Sequence, residues 1–133
     1  MSEQNVAIVR AIWDAVNRGD LDEAFEYAPD DFIADWSGSE APESGVYRGR
    51  EAVKGRFQRT VEVWSEMEYF ETEIIDAGDQ VLRVGGVRAR GRGSGAEVMA
   101  QGAQVWTFRD GTPISVRLFQ SKQEALEALG LSD

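Results

Sequence analysis

Residues Gly85–Gly95 read GGVRARGRGSG, and the three readings of this stretch lead to three different proteins. It is a nucleic-acid-binding Arg-Gly segment, a glycine loop that cradles phosphate, or the tip of a hairpin. Its flanks decide. The segment running into it, QVLRVGGVRAR (80–90), alternates with the period of a strand, and AEVMAQGAQVWTF (96–108) after it does so again. Gly91, Gly93 and Gly95 thus lie between two strands, whereas a dinucleotide fingerprint or a P-loop lies between a strand and a helix. The hairpin tip is the reading that fits. Arg88, Arg90 and Arg92, two residues apart, share one face. A chain of 133 residues with a formal net charge of -10 also lacks the basic footprint that counterion release from a polyanion requires. No nucleic-acid partner is expected.

Working outward, MEYFETEIID (67–76) reads as a further strand, and Asp110-Gly111 as a hairpin turn into PISVRLF (113–119). Ser121 with Glu124 has capping-box spacing, so KQEALEAL (122–129) reads as a closing helix ended by Gly130. Upstream the period changes. Val6, Val9, Ile12, Trp13 and Val16 follow an i, i+3, i+4 stripe, which predicts a helix over 3–18 that stops at Gly19. Asp20 and Glu23 open a second helix, LDEAFEYA (21–28), closed by Pro29. DFIADW (31–36) alternates as a strand, and residues 37–49, dense in Gly, Pro and Ser, read as a loop. A third helix is expected from about Arg50 to Trp64, with Val53, Phe57, Val61 and Trp64 on one face. Helices followed by an antiparallel meander predict an α+β sandwich, the early helices covering one face of a curved sheet, in a single domain over 1–133.

Composition narrows the chemistry. Hydrophobic residues make up 42% and charged residues 29% of the chain, an ordinary globular balance. There is no cysteine and no histidine, so a disulfide framework, a thiol nucleophile and the usual zinc ligands are excluded. No metal is expected, and Asp and Glu are the main candidate bases. The N-terminal MSEQNVAIVRAIW has no basic start followed by an apolar core, and no run approaches a membrane span of about 20 apolar residues. The reading is soluble and cytoplasmic, without a membrane partner.

The order of elements resembles the nuclear-transport-factor-2-like superfamily and, within it, the SnoaL-like polyketide cyclases and ketosteroid isomerases. The stretches that carry the resemblance are AVNRGDLDEAFEYAPDDFIADW (15–36), YRGREAVKGRF (47–57) and VWTFRDGTPISVRLFQSKQEALEALGL (105–131). It implies a cone-shaped, bent antiparallel sheet packed against N-terminal helices, a cystatin-like roll enclosing a hydrophobic pocket. It also implies homodimers packed through the outer sheet face. Such proteins include enzymes, binders and association domains, so the fold alone does not name an activity.

Carried over residue by residue, the resemblance singles out Asp35. In ketosteroid isomerases the base is an aspartate at the end of the first strand, in V-E-D-P-x-G-S, and here I-A-D-W-S-G-S (33–39) places Asp35 there. Removing a proton next to a carbonyl needs a carboxylate in a mostly apolar pocket and a donor opposite to receive the enolate charge. The family's donor tyrosine corresponds to Ile12 and its protonated aspartate to Gln104. Gln104, alone or with Tyr47, is then left to steady the oxyanion, and no cofactor is implied. Asp35 has a second reading, as the cap of the Ser-Gly turn that follows it.

Strand parity puts Ala100, Gly102, Gln104 and Trp106 on one face and Met99, Gln101, Ala103 and Val105 on the other. With Gln104 inward, the small residues leave space for a ligand, Trp106 forms a wall, and Val87 and Ala89 line the neighbouring strand. Trp13, Tyr47, Phe57, Trp64 and Phe119 are further pocket candidates, each equally explained as core. Arg117 either holds an anionic ligand at the pocket mouth or pairs with a surface carboxylate. The face carrying Met99, Ala103 and Val105 is expected to need cover from a second copy. Two functions stay open for a small apolar or carbonyl-containing ligand: a cofactor-independent cyclase or isomerase, and a non-catalytic dimeric ligand-binding or association module.

Overall fold

A computed structural model describes residues 2–38 and 44–131; residues 39–43 of the expected loop lie outside them. The N-terminal stripe winds into α1 (Ser2–Asn17), which buries Val9, Ile12 and Trp13 and gives way at Gly19, where φ is 80°. α2 (Leu21–Phe25) is capped by Asp20, whose carboxylate accepts the Glu23 amide at 3.0 Å. It is shorter than the sequence pattern suggests. Pro29 disfavours helical geometry at the residue before it, and the chain leaves the helix through a tighter turn in which Ala28 N donates to Phe25 O.

β1 (Ile33–Asp35) and β2 (Val46–Arg48) pair antiparallel. The second of these falls inside the segment read as a loop. Three residues carry too little periodicity to announce a strand, and it is the β1 backbone alongside that makes one. α3 (Arg50–Val63) follows, and then β3 (Trp64–Ala77), β4 (Gln80–Gly91), β5 (Glu97–Arg109), β6 (Thr112–Phe119) and α4 (Lys122–Ala128). Trp64, expected at the end of the third helix, instead begins β3, paired with Gly91, and Val61 is exposed. The Arg-Gly segment is the β4–β5 hairpin tip, closed by Gly91 N donating to Ala96 O at 2.9 Å. Its arginines are met locally, Arg88 by Glu68 and Arg90 by Glu97, each at 2.7 Å.

The six strands form one curved sheet in the order β2-β1-β6-β5-β4-β3, antiparallel except for β1 beside β6. Val81 and Leu82, consecutive in β4, are both fully buried. Val81 faces the core under α1, α2 and α3; Leu82 faces the opposite cluster, where Ala125 and Leu126 of α4 pack on Ala103, Val105 and Phe119. This corrects the expectation that Met99, Ala103 and Val105 make a bare apolar face. α4 already covers two of the three, and Met99 alone of them is exposed. No helix among the described residues is long and apolar enough to cross a membrane.

The curvature has a local cause. A Cβ on Gly85 would lie 2.0 Å from the Phe70 carbonyl oxygen, and one on Gly86 would lie 2.0 Å from that of Ala100. Backbone of both neighbouring strands thus occupies space that any side chain would fill, a common use of glycine within strands. Gly85 sits across from Gly102 on β5, and the β3–β4 register slips between Glu71 and Glu73 beside it. The outer edge of this bend is pinned by Asn17, which donates to Tyr69 O and accepts from Tyr69 N, both at 2.8 Å.

Gly85→Ala is expected to cost about 3 kcal/mol or more, because backbone cannot yield as a side chain does. Gly55→Ala, in the middle of α3 with only the tip of Arg59 3.5 Å away, is expected to gain roughly 0.5–1 kcal/mol. Asn17→Ala removes two hydrogen bonds and is expected to cost about 1–2 kcal/mol. Urea unfolding of the three variants checks the ranking.

Candidate functional site

Behind the glycine bend, between the concave sheet face and the helices, lies a cavity of about 450 Å³, within the range of small-molecule sites. β4 contributes Arg83, Gly85, Val87 and Ala89, and β5 contributes Ala100, Gly102 and Gln104. These are the alternate positions of two paired strands, and small residues in both leave the volume open. Aromatic walls come from Trp13 on α1, Trp36 after β1, Phe57 on α3, and Trp64 and Tyr69 on β3, with Phe119 of β6 at one end. Trp13 is the hub, its ring 4.7 Å from Tyr69 and 6.0 Å from Phe57 between centroids.

Polar side chains interrupt this lining, Thr60, Gln101 and Gln120 among them, and four others have a definite orientation or charge. Gln104 accepts a 3.1 Å hydrogen bond at Oε1 from Trp106 Nε1. An indole nitrogen only donates, so the amide oxygen must face it and Nε2 is left with its two protons elsewhere. Arg83, 4% exposed, stacks 4.9 Å above Trp13, with Nε 3.6 Å from Glu71 Oε1. Glu71 is shared with Arg10 at 2.8 Å. Burial pulls the Arg83 guanidinium below its ordinary pKa and Glu71 partly restores it. Arg56, 8% exposed, reaches in from α3 and lies 4.9 Å above Trp36 and 5.7 Å from Phe57. Among the described residues no carboxylate pairs with it. The Tyr69 hydroxyl is pushed up to about 12 by burial, against a weaker opposing effect of Arg56, and is a neutral phenol at ordinary pH.

Eight of the residues singled out from sequence line this one space: Trp13, Phe57, Trp64, Val87, Ala89, Gly102, Gln104 and Phe119. Three do not. Trp106 is core, its ring 6.3 Å from Trp13 and 6.0 Å from Phe32, and it touches the site from behind through Trp13 and Gln104. Tyr47 pairs across from Ala34 on β2 and packs against the helical core. Asp35 lies outside the lining. In β1 Ala34 is buried under the helices, so Asp35 takes the other face, beside Arg117 of β6 with Nε 3.9 Å from Oδ2. Its Oδ1 accepts from Ser37 N at 2.9 Å and Ser37 Oγ at 2.6 Å, a side-chain turn. The Ser37 hydroxyl first and then its amide hold the Asp35 carboxyl below the ordinary aspartate range.

Sequence reading missed Arg56, Arg83, Trp36 and Tyr69. Arg56 had a signal. It stands three residues after Val53 and next to Phe57, on the stripe that α3 buries, where an arginine is out of place unless something needs its charge. Arg83 likewise shares the strand parity of Val87 and Ala89.

The model of the SnoaL-like domain family matches residues 9–114. No protein of curated function matches the sequence. Solved structures with this fold include an NTF2-like protein of unknown function from Burkholderia pseudomallei K96243, 23% identical over 93% of this chain and 95% of that one, TM-score 0.74. A protein from Xanthomonas campestris pv. campestris assigned as a polyketide cyclase is 21% identical over 94% and 96%, TM-score 0.73. A protein from Catenulispora acidiphila with a ketosteroid isomerase-like fold, in complex with trimethylamine, is 19% identical over 94% and 93%, TM-score 0.74.

Two titrations check the electrostatics. The Asp35 carboxyl binds its proton less readily folded than unfolded, so its stabilising effect is full above about pH 4 and is lost as pH falls through the depressed folded value. The stability gap between wild type and Asp35→Asn is therefore expected to close as the solution is acidified below the ordinary aspartate range. A gap independent of pH would show that the ionised turn contributes nothing. Tyr69 has the opposite sign: the unfolded phenol ionises near 10 and the folded one near 12, so stability falls across that interval. In ultraviolet titration, Tyr69→Phe is expected to remove the last phenolate to appear.

Proposed function

The chain belongs to the SnoaL-like domain family, and from that premise we propose that its cavity binds a small, largely apolar molecule through a carbonyl oxygen received by Gln104. The observation that carries this is the Trp106–Gln104 hydrogen bond. It engages the amide oxygen and leaves the Nε2 protons as donors in a wall made mostly of aromatic rings and small side chains, with Arg56 and Arg83 as its charged members. A donor fixed before the ligand arrives needs no reorganisation to polarise a carbonyl, and the same donor stabilises an enolate at that oxygen. Proton removal next to the carbonyl needs, besides this donor, a base to take the proton. Asp35 is assigned to its turn with Ser37. The described lining supplies the donor and no carboxylate, so ligand binding is the part of the reading it supports most directly. The trimethylamine complex of the Catenulispora protein supports small-molecule binding by this fold.

Trp13, Trp36 and Trp64 line the cavity, so indole fluorescence reports occupancy. 2-Acetonaphthone is expected to quench it and to bind about tenfold tighter than 2-ethylnaphthalene, which lacks the carbonyl, one hydrogen bond being worth roughly 1.4 kcal/mol. Gln104→Leu is expected to erase the difference while leaving the hydrocarbon unaffected. If neither compound is bound by the wild type, the cavity is not a ligand site of this kind.

A further inference from the structure

Two arginines line the cavity, and their charges are not equally accounted for. Arg83 has Glu71 at 3.6 Å, and Glu71 is held in turn by Arg10. Arg56 is also buried, at 8% exposed, yet the groups around it are the faces of Trp36 and Phe57 and the neutral phenol of Tyr69. Its Nε has no acceptor in the protein among the described residues. Aromatic faces attract the flat side of a guanidinium, but they do nothing for the in-plane N–H groups. An isolated buried cation is among the costliest features a fold can carry. On α3 it stands between Val53 and Thr60, and the Thr60 hydroxyl is committed to the Arg56 carbonyl at 2.9 Å, so that side chain is not the missing acceptor.

The same inventory gives the sign of the missing partner. Trp13 Nε1 is a second enclosed donor without an acceptor, and Arg83 Nε a third. Three donors on cavity-lining residues lack acceptors, and the Gln104 amide adds its own protons to the same wall. A cation would meet two guanidinium groups, whereas a single negative charge would balance the one left over. The long-range field does not explain this, since the chain as a whole carries -10. A positive spot persists inside a strongly acidic protein, where it acts over short range and is little screened.

Resting on the reading of the cavity as a small-molecule site, we propose that its ligand is a flat, singly charged organic anion, a conjugated carboxylate or enolate, whose charged oxygen pairs with Arg56. Flatness follows from the walls: rings on α1, α3 and β3 stack best on a planar framework. A guanidinium edge matches two oxygens of one carboxylate, or the paired oxygens of a conjugated enolate, in a way an ammonium does not.

Matched probes test this: 2-naphthoate against the nearly isosteric 2-naphthamide, followed by calorimetry and indole fluorescence. The wild type is expected to bind the naphthoate at least about tenfold tighter. Arg56→Met is expected to lose that preference while keeping naphthamide binding, and Arg56→Lys to retain part of it, since the charge survives and the fork does not. Ligand-free Arg56→Met is also expected to melt at or above the wild-type temperature, because an apolar side chain replaces an unpaired buried charge. Equal binding of both probes by the wild type overturns the anion inference and leaves the cavity reading standing; binding of neither removes both. A lower melting temperature in Arg56→Met with equal loss of both probes makes Arg56 a structural prop for Trp36 and overturns the proposal. Should Arg56→Met not fold, the partial preference of Arg56→Lys decides alone.

Discussion

The cavity depends on backbone lying where side chains would be. At Gly85 and Gly86 the carbonyls of Phe70 and Ala100 come within 2.0 Å of any Cβ position, so the three longest strands can curl over one another only where those two residues have none. A flatter sheet would bring the helices down onto β4 and β5 and fill the space with ordinary core. With the curl, the helical core takes in Ala34 of β1, Val116 of β6, Val81 of β4 and Trp106 of β5, while Gly85, Val87, Ala89, Ala100 and Gly102 border the cavity. The bend thus converts a helix-on-sheet sandwich into a vessel, and Asn17 holds its rim through the Tyr69 backbone.

What the vessel offers chemically is set by which polar groups are already occupied. Trp106 occupies the oxygen of Gln104 and thereby turns the amide into a donor. Glu71 is divided between Arg10 and Arg83, and among the described residues no carboxylate reaches Arg56. The phenol of Tyr69, buried against Trp13, resists ionisation and cannot act as a second counter-charge. An apolar enclosure lined by donors and a single uncompensated cation is therefore suited to oxygen that carries, or acquires, negative charge. Both the carbonyl reading and the anion inference are expressions of that one imbalance.

Much of the fold was legible in the chain because it is local. The α1 stripe, the Asp20 and Ser121 caps, the Asp110-Gly111 turn and the alternation on each side of GGVRARGRGSG are short-range patterns with periods that only one local structure satisfies. Parity also grouped residues of one cavity wall, since Gly102 and Gln104 must share a face if β5 is a strand, while which face lines the cavity came from the packing. β2 was not legible, because a three-residue strand exists only by virtue of β1. Nor was the cover over Ala103 and Val105, which comes from α4 after the chain has left β6.

For the site, the sequence by itself determined the absence of cysteine and histidine chemistry, the small residues of β4 and β5 and the face that Gln104 shares with Gly102. It also placed an aspartate at the end of the first strand. Only the tertiary structure decided that this aspartate turns away from the cavity and closes a turn with Ser37, since β1 is too short for parity to say which face is inner until helices pack on one of them. Tertiary structure likewise decided that Arg83 meets Glu71 and that Arg56 meets no carboxylate among the described residues. Charge compensation is a matter of a few ångströms between residues distant in sequence, and no spacing along the chain encodes it.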